Sequence, residues 1–240
     1  AFASGDKPNL HLPGIQEDLL KTLYECGKPV ILVLLSGSAL AVNWADDNIP
    51  AIIQGWYPGA QGGRAVAQML FGEYAPEGKL PVTFYRSSEE LPAFTDYAMK
   101  GRTYRYMTNE ALYPFGYGLS YTDFAVQDVT LSSAEIVKGG SITVKATVAN
   151  NGTYDGAETV QVYVKAKNIA DAPNFQLKGL KKVTVPAGKS VAVELYTGDL
   201  HYVGTAVLDQ AGNLIAIRFN SFSYIVTVED GYMVLTKEGT

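Results

Sequence analysis

The sequence predicts an α/β portion with a mostly parallel sheet, followed by an all-β sandwich. Three observations carry this expectation. Between Ile52 and Tyr85 a strand, a glycine turn, an apolar-faced helix and a second strand follow one another, the order of a βαβ unit. Beyond Phe124 the hydrophobic period changes to two, as a sheet with one covered face requires. Between Arg86 and Tyr121 periodicity is lost, and aromatic residues, glycine and proline replace it. A segment of this length without a regular element is usually functional or packed on other structure. The expected division is an α/β sandwich portion over residues 1–95, a structured connector over 96–121 and an all-β domain over 122–240.

Taken in order, residues 1–9 are polar and read as a loop. Ile15, Leu19 and Leu23 recur at helical spacing with Leu20 and Tyr24 beside them, and Gly27 and Pro29 stop the helix. Val30 to Leu35 is an aliphatic run of strand length, expected to be fully buried. The SGSAL run with Asn43 and Trp44 behind it can be read as a phosphate-cradling turn at a helix start, but no nucleotide fingerprint accompanies it and turn geometry explains it better. Ile52 and Ile53 end a strand, Trp56-Tyr57-Pro58-Gly59 turns, and Gly62-Gly63 mark positions where a side chain would obstruct the turn or a neighbour. Ala65, Val66, Met69 and Leu70 form one helical face closed by Gly72. Pro76-Glu77-Gly78 turns the chain into Leu80 to Tyr85, read as a strand with Pro81 near its start. In LYPFGYGLSY, Tyr113, Phe115 and Tyr117 stand two apart, so an extended chain is expected there. Ile142, Val144, Ala146 and Val148, then Val160, Val162 and Val164, then Val191, Val193 and Leu195 alternate between turns such as Asn150-Asn151-Gly152 and Pro186-Ala187-Gly188.

Composition narrows the function. A net charge of −5 with no basic run argues against nucleic acid as a partner. The aliphatic run Val30 to Leu35 is far shorter than the ~20 residues of a membrane span, so no membrane partner is expected. One cysteine, Cys26, cannot make an internal disulfide, which fits a reducing, cytoplasmic compartment. His11 and His201 are too few for a metal site, and neither a metal nor another cofactor is expected. Glu89-Glu90 and Asp46-Asp47 are adjacent acids that point apart on any regular element and read as solvated charge. Asn151-Gly152-Thr153 matches a glycosylation sequon but is first a turn. Sixteen tyrosines suit a sugar-facing cleft, and a β-rich fold also uses many. The opening AFASGDKPN has neither an initiator methionine nor a signal-peptide pattern and reads as part of a longer chain.

The runs WYPGAQGG, LFGEYAPEGKLPVTF and LYPFGYGLSYT together resemble glycoside hydrolase family 3, in the segment that follows its catalytic barrel. The resemblance implies a retaining β-glycosidase acting on terminal β-D-glycosidic bonds of oligosaccharides, with GRTYRYMTNEALYPFGYGLSYT closer to the β-xylosidase branch than to the β-glucosidase branch. Retaining chemistry needs a carboxylate nucleophile and a carboxylic acid about 5–5.5 Å apart. By the resemblance, the nucleophile belongs to the barrel and the acid/base glutamate lies before residue 1, so this chain supplies neither. Asp6-Lys7 stands where the family has an Asp-Arg pair, and Arg102, Tyr104 and Arg105 stand in the segment that faces the barrel. These five are the candidate site residues; the competing reading has Arg105 paired with a carboxylate and the tyrosines filling an interface. VANNGTYDGAETVQVYV and LKGLKKVTVPAGKSVAVEL resemble the fibronectin type III-like domain that closes many members. The implied partners are a carbohydrate substrate and the catalytic barrel of the same protein. A carbohydrate-binding or adhesion module without hydrolysis is the alternative.

Overall fold

The computed structural model describes residues 8–136, 140–167, 171–197, 204–208, 214–219, 224–229 and 232–237, from 204 onward by backbone alone. The chain divides into two compact units, one of residues 1–74 and 79–118, the other of residues 75–78 and 119–240.

In the first unit, helix α1 spans Gln16–Glu25, with Glu17 and Asp18 in its first turn, where carboxylates complement the helix dipole. It ends as its sequence requires: Gly27 takes φ +67, and the amides of Cys26 and Gly27 donate to the carbonyls of Leu23 and Tyr24. The apolar face read from the sequence points outward. Ile15, Leu19 and Leu23 are 77, 57 and 46% exposed, whereas Leu20 is buried. The packed position is Leu20; Tyr24, itself 44% exposed, meets Trp44 edge-on at 5.6 Å, and Trp44 carries the Lys21 ammonium over its ring. Strand β1, Ile31–Leu34, pairs in parallel with β2, Ala51–Gln54, from Ile31 opposite Ala51 to Leu34 opposite Gln54. The short helix α2, Asn43–Asn48, lies in the crossover between them. β1 is not fully buried either. Side chains alternate across a strand, so Leu32 and Leu34 pack on the core while Ile31 and Leu35 remain exposed. Leu20, Leu34, Leu40, Val42, Ile49 and Phe84 form that core with Leu112.

Helix α3, Gly62–Leu70, ends at Gly72, φ +75, as expected. Of the two glycines that open it only Gly62 is sterically required: a Cβ there would stand 2.4 Å from the Pro58 ring, whereas one on Gly63 would meet nothing within 4 Å. The expected strand from Leu80 to Tyr85 is an isolated bridge, Phe84 opposite Tyr113. Its bonds go to the aromatic segment instead of a sheet: Leu80 exchanges bonds with Gly116 and Tyr117, and Phe84 with Leu112 and Tyr113. Pro81 has no amide to offer a ladder. The LYPFGYGLSY segment is not extended throughout. The Tyr117 amide donates to the Pro114 carbonyl at 3.1 Å, and Gly116 takes φ +82, the third position of a tight turn that favours glycine.

The second unit is built on the period-two runs. β3 (Phe124–Leu131), β5 (Thr143–Asn150) and β8 (Ser190–Tyr196) form an antiparallel sheet with β5 central. β4 (Glu135–Ile136), β6 (Gly156–Lys167), β7 (Gln176–Val185), β11 (Tyr224–Glu229) and β12 (Tyr232–Lys237) form a second sheet in the order β4-β11-β12-β6-β7. β12 joins β6 in parallel, from Met233 opposite Val164 to Thr236 opposite Lys167. β9 (Gly204–Leu208) and β10 (Leu214–Phe219) pair separately. One core joins the two large sheets: Ile142, Val144, Ala146 and Val148 meet Val160, Val162, Val164, Val185, Val193 and Leu195. The turn at Pro186 closes with the Lys189 amide on the Pro186 carbonyl and Gly188 at φ +65.

Asn150, at the end of β5, organises one edge of this core. It is 2% exposed, donates through Nδ2 to the carbonyls of Tyr154 and Val185, and accepts through Oδ1 from the Gly152 amide and the Thr122 hydroxyl. The Asn-Asn-Gly turn is therefore closed by a buried amide side chain, and the sequon residue Asn151 stays exposed beside it.

Candidate functional site

The GRTYRY motif supplies a connected group of polar residues in the first unit. Gly101 (φ +74) and Thr103 (φ +56) bend the chain on either side of Arg102, and Thr103–Tyr106 closes one helical turn, α4. A non-glycine residue in that region costs ~1–3 kcal/mol and persists only where its surroundings hold it. Here they do. The Thr103 amide donates to the Tyr85 hydroxyl at 2.6 Å, and the Tyr104 amide to the Thr83 hydroxyl at 3.0 Å. Thr83 and Tyr85 come from the stretch that was expected to be a strand, so its polar side chains serve the motif instead.

Of the candidate residues, Asp6 and Lys7 lie outside the described residues. Arg102 is half-buried and committed to the backbone: its Nε donates to the Ala98 carbonyl, and its Nη2 to the carbonyls of Ala93 and Asp96. A planar fork of donors suits this task, and it ties residues 93–98 into one loop. Tyr104 lies flat on Phe115, with ring centroids 4.3 Å apart and planes 13° from parallel. Arg105 stands with its guanidinium 5.8 Å from the centre of the Tyr106 ring.

A second aromatic group packs on Phe84. Tyr113 packs against Phe84 at 5.9 Å and parallel to Tyr117 at 5.6 Å, and its hydroxyl donates to Asp46 Oδ1 at 2.7 Å. Burial, and then the bond to the Asp46 carboxylate, hold the Tyr113 phenol well above its ordinary titration range. Asp46, read from sequence as solvated charge, is the acceptor that fixes the ring.

The loop tied by Arg102 borders a broad depression of about 1410 Å³ whose lining includes Leu10, Ser36, Tyr57, Phe94, Tyr97 and Arg102. Sequence reasoning did not single out Tyr57, Phe94 or Tyr97. The available signal was the WYPG turn, where adjacent aromatic residues take opposite environments: Trp56, φ +52, meets Phe84 edge-on, while Tyr57 is 80% exposed. Among the described residues no helix is long and apolar enough to cross a membrane.

The glycosyl hydrolase family 3 C-terminal domain matches residues 3–121. A xylan 1,4-β-xylosidase from Xylanibacter ruminicola is 45% identical over 194 residues, 81% of this chain and 22% of that protein. A periplasmic β-glucosidase from Salmonella typhimurium is 39% identical over 206 residues, 80% of this chain and 27% of that protein. Among solved structures, a β-glucosidase from Erythrobacter marinus superposes with a TM-score of 0.74 at 32% identity, covering 97% of this chain and 31% of that one. β-Glucosidase 3B from Thermotoga neapolitana gives 0.70 at 34% identity, over 80% and 29%. The chain thus spans about a quarter of the curated relatives it matches. The matched region, 3–121, contains the WYPG turn, the Arg102 loop and the Phe84–Tyr113 bridge, and on that ground the chain belongs to glycosyl hydrolase family 3, whose C-terminal domain it carries.

Proposed function

We propose that this chain is the C-terminal portion of a retaining β-glycosidase, a β-xylosidase or β-glucosidase, that completes the active-site cleft and supports the catalytic barrel of the same protein. The observation that carries the reading is identity of 45% to a xylan 1,4-β-xylosidase and 39% to a β-glucosidase, over four-fifths of this chain in both cases. Hydrolysis with retention requires one carboxylate to attack the anomeric carbon while a carboxylic acid protonates the leaving oxygen. Neither group is assigned to this chain. Its part is to hold surfaces in place: Arg102 fixes the 93–98 loop, Tyr104 and Phe115 fix α4, and Arg102, Tyr104 and Arg105, with Asp6 and Lys7, form the face presented to the barrel. The domain division 1–95, 96–121 and 122–240 belongs to this reading. So do a mostly parallel sheet in the first domain and a fibronectin type III-like sandwich in the last. They are supported by the parallel β1–β2 pair and by the shared core of the two large sheets.

The test compares the 240-residue chain with the same chain joined to the coding sequence that accompanies it, on aryl β-xylosides and β-glucosides. Turnover by the longer protein alone is the expected result. Turnover by the 240-residue chain that is lost on replacing one of its own acidic residues would overturn the assignment of the chemistry. A longer protein that binds oligosaccharide without turnover would be a carbohydrate-binding or adhesion module.

A further inference from the structure

Asn151 is the chain's one asparagine followed by glycine, and it is exposed. The fold demands that glycine. A Cβ on residue 152 would stand 2.2 Å from Thr122 Oγ1 and 3.0 Å from the Asp123 backbone nitrogen, and Thr122 cannot swing aside without giving up its bond to Asn150 Oδ1. Packing around the buried Asn150 therefore places the least hindered of backbone amides directly after an exposed side-chain amide.

Such a pair reacts with water alone. Once base removes its proton, the Gly152 nitrogen attacks Cγ of Asn151; the N–Cγ bond forms, the Cγ–Nδ2 bond breaks, and ammonia leaves behind a cyclic succinimide. Water then opens the ring. Cleavage of the new N–Cγ bond gives aspartate, and cleavage of the original bond between the Asn151 carbonyl carbon and the Gly152 nitrogen gives isoaspartate. In balance, one side-chain amide and one water become one carboxylate and one ammonium ion. A Cβ on the attacking residue would crowd the ring, and glycine has none.

In the folded chain the nucleophile is occupied. The Gly152 amide donates to Asn150 Oδ1 at 3.1 Å, the bond of an Asx turn, and Asn150 is 2% exposed with both of its donors engaged. The proton that base must remove is thus aimed at a buried oxygen. The Asn151 amide donates to the Asp123 carbonyl at 2.8 Å, which restrains residue 151 from turning its Cγ toward the next nitrogen. Asn150 has no comparable route, since asparagine follows it and its side chain is committed to four partners.

We propose that Asn151 is a site of spontaneous deamidation gated by Asn150, closed while the buried side chain holds the Gly152 amide and open when that bond is lost. The product acts back on the gate. Isoaspartate adds a methylene to the main chain between residues 151 and 152, so the Gly152 amide no longer meets Asn150 Oδ1 in the same turn. Modification therefore records an opening of this edge of the β-sandwich core and makes the opening permanent.

The test is incubation of the 240-residue chain at mildly alkaline pH in oxygen-18 water, native and unfolded in guanidinium chloride, with fragmentation mass spectrometry of the peptide containing residues 150–152. Heavy oxygen should enter residue 151 and not residue 150, at least ~10-fold more slowly in the native chain, because the Gly152 bond must open first. Asn150→Ala removes the acceptor and should bring the native rate close to the unfolded one. The comparison of native with unfolded wild type decides the matter even where that variant fails to fold. An aged sample carrying isoaspartate at 151 should melt at a lower temperature, whereas Asn151→Ser aged in parallel should not change. Equal native and unfolded rates, modification of Asn150 ahead of Asn151, or no modification of Asn151 in denaturant overturns the gated site. An unchanged melt of the isoaspartyl chain overturns its coupling to Asn150.

Discussion

Replacing Asn150 by aspartate keeps the shape of the side chain and removes both of its donors. In the wild-type chain those donors satisfy the carbonyls of Tyr154 and Val185, while Oδ1 accepts from Gly152 and Thr122. At 2% exposure no water replaces what is lost. Each orphaned carbonyl costs ~1–3 kcal/mol, so Asn150→Asp is expected to destabilise the second unit by ~2–6 kcal/mol at neutral pH. The second carboxylate oxygen also faces two carbonyl oxygens, and burial beside them raises its folded pKa above the ~3.9 of an unfolded aspartate. The sign follows from linkage. Below about pH 4 the side chain is protonated in both states, and its O–H restores one of the two bonds. As pH rises the unfolded state loses the proton first, and the deficit grows by up to ~1.4 kcal/mol per pH unit. The two units have separate reporters, since Trp44 and Trp56 both belong to the first unit and the long strands to the second. Urea unfolding followed by far-UV circular dichroism should show the loss, while tryptophan emission reports whether the first unit is touched. A midpoint unchanged from wild type, or a deficit that is flat between about pH 4 and pH 7, would refute the account of Asn150 as a doubly donating buried hub.

Three further outcomes are expected. Gly62→Ala places a Cβ 2.4 Å from the rigid Pro58 ring and should destabilise the first unit by ~1–3 kcal/mol, whereas Gly63→Ala meets open space and should stabilise α3 by ~0.5–1 kcal/mol; thermal melts of the pair by tryptophan fluorescence check both signs. Because the fold favours the neutral form of Tyr113, its contribution to stability is complete below the ordinary phenol value of ~10 and is lost as pH rises above it; Tyr113→Phe should remove that alkaline dependence and delete one late phenol from the ultraviolet titration. Arg102→Ala removes the donors to the carbonyls of residues 93, 96 and 98, so limited proteolysis should cut within 93–99 faster while the melt of the second unit stays unchanged.

The runs at 142–148, 160–164 and 191–195 were legible because one face of each strand is buried and the other is not, and period two records that directly. Helix α1 was legible as a helix but not in its orientation. Two apolar stripes run along it at i, i+4 spacing, and only the tertiary setting, with Leu20 in the core and Trp44 edge-on to Tyr24, decides which one turns inward. Leu80 to Tyr85 failed for a related reason. Its composition is that of a strand, yet its backbone partners are residues 112–117, where Gly116 and Pro114 impose a turn that no local pattern in 80–85 announces. Asn150 was read as a turn residue, which it is, but its burial follows from Thr122, Tyr154 and Val185, which lie apart along the chain.

The candidate site divides along the same line. The GRTYRY motif drew attention to Arg102, Tyr104 and Arg105, and the structure gives Arg102 backbone carbonyls to hold rather than an open cation to offer. What Arg102 holds is a loop with two outward aromatic rings, Phe94 and Tyr97, and a third exposed ring, Tyr57, lines the same depression. Sequence pattern identifies residues that recur; it does not tell which of two adjacent aromatic rings turns to the core. Tyr57 and Trp56 are adjacent and chemically alike, and a residue-by-residue reading treats them alike. Their separation into one ring packed on the core and one open ring follows from the backbone at Trp56, φ +52, and from the edge-on contact of Trp56 with Phe84.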